Sequence, residues 1–150
     1  MSTQSNLPRG YRNNNPLNIR LAKNNWLGKV LPNTDGAFEQ FTSMPYGYRA
    51  ALYLLRKYIK QGYNLIGMII NRWAPPSENN TNKYINDVCT IMQQRTGKDI
   101  TPFDPVSIND ADTLCEMAYA MSIIENGNNE ITRAAGLPNI NAIKEGWNLL

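Results

Sequence analysis

The 150-residue chain contains no His, so few of its residues can do chemistry. That removes Ser-His-Asp and Cys-His nucleophiles and any His-containing zinc site, leaving proton transfer to carboxylates, with Tyr, Asn, Lys and Arg as supporting groups. One carboxylate stands in a distinctive place. Leu114, Met117, Ala118, Met121 and Ile124 recur at helical spacing, and Glu125 lies at the edge of the same stripe. Asn126-Gly127 is a helix-stop signal, because both residues tolerate the left-handed conformation, so Glu125 is expected in the last turn. There the negative end of the helix dipole and partial burial both disfavour the ionised form. A carboxyl group that keeps its proton near neutral pH is suited to protonating a leaving oxygen.

Two other stretches are rich in ligand-type side chains. The first is Tyr11-Arg12-Asn13-Asn14-Asn15-Pro16-Leu17-Asn18, which reads either as an Asx-turn cluster that shapes a loop or as a binding loop. The second runs from Trp73 through Asn79 to Tyr84. Tyr84 falls on an apolar stripe and is by default core, with a hydroxyl able to reach a neighbour at a cleft. With Glu125 and Asn126, these stretches supply an acid, aromatic walls and many amides, the inventory of a saccharide cleft. Glycoside cleavage usually takes two carboxylates; Asp35 and Glu39, in or beside a short aromatic segment, are the candidates for the second. Glu78, set among Asn residues, reads as a helix-start charge.

The elements that must position these groups are mainly helical. Ser43 as cap and Pro45 in the first turn begin a helix with an Ala51, Leu54, Leu55, Tyr58 stripe that ends at Gly62. A second, capped by Asn64 and spanning 65–73, is apolar nearly all round and expected to be central. A third starts at Asn80 or Thr81, carries Tyr84, Val88, Cys89 and Met92 inward and closes at Gly97. The Glu125 helix, a short turn of helix near 131–135 and a last helix over about 139–149 complete the set. Ala37 to Phe41 suggests a small hairpin with Phe38 and Phe41 framing Glu39.

Length and a hydrophobic content of 42% fit a single domain, expected over 11–150 after a flexible leader at 1–10. The net charge of +3 is spread along the chain. This favours anionic surfaces such as cell-wall polymers and lacks the dense basic stripe of a nucleic-acid binder. Cys89 and Cys115 read as buried core thiols, and no cofactor or metal is expected. No signal peptide or membrane-spanning run is expected, so the chain reads as made in the cytoplasm without stable membrane insertion, with export by another route.

A joint set of short motifs carries a resemblance. Arg9-Gly10-Tyr11-Arg12-Asn13-Asn14-Asn15-Pro16-Leu17-Asn18-Ile19-Arg20, Trp26-x-Gly28, Phe38-x-x-Phe41 and Tyr46-Gly47-Tyr48-Arg49-Ala50 come first, followed by Arg72-Trp73-Ala74-Pro75-Pro76, Asn79-x-Thr81-x-x-Tyr84-Ile85 and Glu125-Asn126-Gly127. Together they resemble a family of small phage and prophage proteins, similar to lysozyme-like muralytic enzymes and to lytic transglycosylases. In the transglycosylases the catalytic Glu helix precedes the cleft loop, whereas here the Asn-rich loop comes first. The resemblance therefore implies a mainly α, lysozyme-like domain with a small β-hairpin in circularly permuted order. It also implies cleavage of the N-acetylmuramic acid to N-acetylglucosamine bond of peptidoglycan glycan strands, acting at the cell wall. Glu125 would be general acid, with Asp35 or Glu39 recruited only by a hydrolase. The competing expectation is a virion structural or glycan-binding protein that keeps the fold, contacts other virion proteins and cleaves nothing.

Overall fold

The structure is a computed structural model that describes residues 6–150. Seven helices appear among the described residues: α1 (Arg9–Arg12), α2 (Met44–Lys60), α3 (Ile66–Trp73), α4 (Thr81–Thr96), α5 (Ala111–Asn126), α6 (Glu130–Ala134) and α7 (Ile140–Asn148). α2 packs against α7, α5 and α3, while α5 packs against α4, α7 and α1. The core is built by the apolar faces of these helices, with Leu52 and Leu55 of α2, Val88 and Met92 of α4, and Leu114, Met117 and Met121 of α5 fully or almost fully buried. Both cysteines are buried and free, and burial pushes the Cys115 thiol up to about 11. The mainly helical class expected from periodicity is what the chain adopts.

Several expectations change. Of the leader expected at 1–10, residues 1–5 lie outside the described residues. Arg9 and Gly10 already belong to α1, and Gly10 and Tyr11 are buried, so the packed unit starts before residue 11. α3 is not the central helix. Ile66, Ile69 and Ile70 face inward, but Met68 is 40% exposed, and the central positions fall to α2 and α5. Asn64 does not cap α3. The first amides of that helix are satisfied by backbone, with Ile66 N–H donating to the Asp104 carbonyl at 3.1 Å and Gly67 N–H to that of Pro102 at 2.8 Å. Ser43 occupies the N-cap of α2, but its side chain makes no capping bond. Asn80 and Asp110 do cap α4 and α5 through side-chain oxygens.

The expected hairpin is replaced by two isolated antiparallel bridges, Arg20 with Phe38 and Lys29 with Phe41. The 38–41 segment thus lies between two short partners, joined to 19–21 on one side and 28–30 on the other. Side chains alternate in such a segment, and the register turns Glu39 and Phe41 inward together, at 0% and 2% exposure, while Phe38 stays half-buried. The two phenylalanines therefore do not frame Glu39.

Candidate functional site

Glu125 sits in the last turn of α5, as the helix-stop signal predicted. The helix closes with Gly127 N–H donating to the Ile123 carbonyl at 2.7 Å, and Gly127 takes φ +82°, a conformation open to glycine at little cost. The carboxylate is gripped on both oxygens. The Tyr84 hydroxyl, from α4, donates to Oε2 at 2.9 Å, and the Asn18 amide, from the N-terminal loop, donates to Oε1 at 3.2 Å. Burial raises the Glu125 pKa above its ordinary 4.5, and the Tyr84 and Asn18 bonds pull in the opposite direction without cancelling it. Each donor takes one lone-pair direction on its oxygen, leaving another for the acidic proton.

The loop that supplies Asn18 is docked onto the end of α5. Asn126 Nδ2 donates to the Pro16 carbonyl at 2.7 Å and to the Ser122 carbonyl at 3.0 Å. The Tyr11 hydroxyl reaches the same Ser122 carbonyl at 3.5 Å. Gly10 lies so close beneath that a β-carbon there would run into the amide oxygens of Asn126 and Asn18. Asn14 and Asn18 adopt φ +52° and +54°, a region Asn enters more readily than most residues. Asn15 crosslinks the loop, donating to the Ile19 and Glu39 carbonyls and accepting from Ile19 N–H, each at 3.0 Å.

Glu125 opens on a cleft of about 600 Å³, within the range of small-ligand sites. Leu17, Ile19, Leu54 and Ala74 give it apolar surface; Phe38, Tyr58 and Trp73 are its aromatic walls; Asn18, Arg20, Glu78 and Asn79 are its polar groups. Tyr58 and Trp73 meet edge to face at 6.4 Å, which stiffens that wall.

Of the candidates from sequence, Glu125, Asn18, Trp73 and Asn79 line the cleft, and Tyr84 supports the acid from behind. The others do not meet a ligand there. Tyr11 is 1% exposed, and burial raises its phenol pKa. Asn13 bonds Asp35 and Gln40, Asn14 bonds the Phe41 carbonyl, and Asn15 and Asn126 are spent on backbone. Arg12 is exposed and off the cleft lining. The loop is thus mostly the turn-shaping reading, with Asn18 the one of its predicted residues that reaches the site.

Neither expected second carboxylate reaches the cleft. Asp35 is held by Arg9 through a two-pronged ion pair at 2.5 and 2.7 Å and by Asn13 at 2.9 Å. The Arg9 bond, foremost, keeps its carboxyl well below the usual range. Glu39 is fully buried, paired with Lys29 Nζ at 3.2 Å and bonded by Ala22 N–H. The carboxylate that does share the cleft is Glu78. Its sequence surroundings, Ser77-Glu78-Asn79-Asn80, carry no signal that separates it from a solvated loop charge. Arg20, Phe38 and Tyr58 were likewise hidden, Tyr58 because a cleft aromatic and a core aromatic occupy the same helical stripe.

Among the described residues no group of three or more His, Cys, Asp or Glu could hold a metal ion, and no helix is long and apolar enough to cross a membrane. No family model matches the chain. It is 40% identical over 128 residues, 83% of this chain and 74% of the relative, to Protein P5 of Pseudoalteromonas phage PM2. With that identity extending over most of both proteins, the chain belongs to the family of this bacteriophage protein P5.

Proposed function

We propose that the protein is a peptidoglycan-cleaving glycosidase of phage or prophage origin, with Glu125 as its general acid. The observation that carries this is the state of Glu125: a carboxyl group on a cleft wall, kept protonated more readily by burial, with both oxygens oriented by Tyr84 and Asn18. Such a group donates its proton to a glycosidic oxygen as the bond to the sugar's C1 breaks, a contribution of about 10²–10⁴ in rate. The aromatic and amide lining suits sugar faces and acetamido groups.

With Asp35 and Glu39 engaged elsewhere, the reading that fits best is a lytic transglycosylase, in which one residue serves twice. Glu125, now ionised, takes the proton of the sugar's own 6-hydroxyl. That oxygen attacks C1, closes a 1,6-anhydro ring and leaves Glu125 protonated for the next cycle. The acid-bearing end of α5 docked on the first loop of the chain also supports a lysozyme-like arrangement in permuted order. The bacteriophage relative supports the phage origin and fits association with a virion.

Digestion of purified peptidoglycan tests this. The wild type should release glycan fragments with 1,6-anhydro ends, and Glu125→Gln should release none while keeping its circular dichroism spectrum. Retained lysis by that variant would sink the assignment.

A further inference from the structure

Among the described residues one cation lines the cleft: Arg20. Its side chain is exposed, and among the described residues it belongs to no ion pair. Its backbone is nevertheless fixed. The backbone at Arg20 bridges to Phe38, with Leu21 N–H donating to the Ala37 carbonyl and Glu39 N–H to the Ile19 carbonyl, both at 2.9 Å. The guanidinium lies 5.5 Å from the centre of the Phe38 ring. Arg9 lies 4.6 Å from the same ring, but Asp35 neutralises Arg9. Phe38 thus contacts two guanidinium groups, and the one on the cleft is the uncompensated one. Arg20 is two residues from Asn18, so their Cα atoms are at most about 7 Å apart, and the Asn18 amide touches Glu125. A free guanidinium and the acid therefore line the same cleft.

We propose that Arg20, backed by Phe38, is a subsite for a carboxylate carried by the glycan, and that the cleft selects acidic amino-sugar polymers over neutral ones of the same backbone. The substrate class rests on the glycosidase reading above. A guanidinium forks onto a carboxylate through two N–H bonds, and packing on the ring face holds it ready for that geometry. In peptidoglycan the carboxylate belongs to the lactyl group of every second sugar, or to the peptide joined to it; a plain N-acetylglucosamine polymer has none. Glu78 in the same cleft disfavours a polymer charged on every ring, so the selected ligand carries its charges sparsely.

Binding without turnover tests this, using Glu125→Gln protein and calorimetry. The probes are an N-acetylglucosamine tetramer and the tetramer in which N-acetylmuramic acid with a free lactyl carboxylate alternates with it. The acidic tetramer should bind about tenfold tighter or more, with the preference fading at high salt. Adding Arg20→Gln should erase the preference by weakening the acidic tetramer far more than the neutral one, and Arg20→Lys should restore only part of it. Equal binding of the two tetramers by Glu125→Gln overturns the Arg20 subsite and leaves the saccharide cleft standing. Binding of neither overturns both.

Discussion

The Tyr84 hydroxyl on α4 donates to Glu125 Oε2 at the end of α5, across 2.9 Å and 41 positions of sequence. Burial first, then the Glu125 charge and the bond itself, hold the Tyr84 phenol well above 10, so it remains a donor at any working pH. Through this bond Tyr84 stabilises the ionised acid and offsets part of the burial that raises its pKa. Tyr84→Phe removes that offset. The alkaline limb of the pH-rate profile, where Glu125 loses its proton, should move to higher pH, at a stability cost of about 1–2 kcal/mol. An unmoved limb would limit Tyr84 to packing.

Glu125 itself should be costly to the fold at neutral pH. With its pKa raised above 4.5, the folded chain binds this proton more tightly than the unfolded chain, so stability declines as pH rises from about 4.5 through the folded value. Glu125→Gln should melt higher than wild type at pH 7.5, with the gap closing by pH 4. The amide is accommodated because Asn18 Oδ1 has no partner and can accept from it after a side-chain flip. Thermal melts at the two pH values check this.

Gly10→Ala should damage the site without touching it. The new methyl group meets the amide oxygens of Asn126 and Asn18, so either the loop lifts from α5 or the Asn18 bond to Glu125 is lost. The expected cost is about 1–3 kcal/mol in stability, together with a fall in lytic rate that exceeds any loss of folded protein.

Asp35 and Glu39 should prove structural. Asp35→Asn should keep its lytic rate per folded molecule yet unfold more easily at pH 7. Because the Arg9 bond keeps the folded Asp35 pKa low, the wild-type advantage is complete above the unfolded pKa near 3.8 and is lost as pH falls toward the depressed folded value. Lys29→Met, which strips a partner from the fully buried Glu39, should cost about 3–5 kcal/mol. Urea denaturation measures both.

Glu78 separates the two cleavage chemistries. If Glu125 acts alone, Glu78→Gln should change the yield of 1,6-anhydro products less than about tenfold. Reducing ends from the wild type, abolished by Glu78→Gln, would instead identify a hydrolase with Glu78 as its base.

The sequence by itself determined the helices beyond residue 43 and the place of Glu125 at the end of one of them, because amphipathic period and the Asn-Gly stop are local signals. The missing His left carboxylates as the candidates for any proton transfer. It could not determine which polar groups face the ligand. Runs such as Asn13-Asn14-Asn15-Pro16 look alike at every amide, yet Asn15 is consumed by the Ile19 and Glu39 carbonyls and Asn18, three residues on, grips Glu125. Glu39 and Glu78 are both carboxylates in polar or aromatic company, and only the docking of the 38–41 segment against Lys29 buries the first while the second stays on the cleft. Periodicity fixes which side of its own element a residue occupies, whereas what covers that side is supplied by chain tens of residues away, and burial, pairing and pKa all follow from that cover.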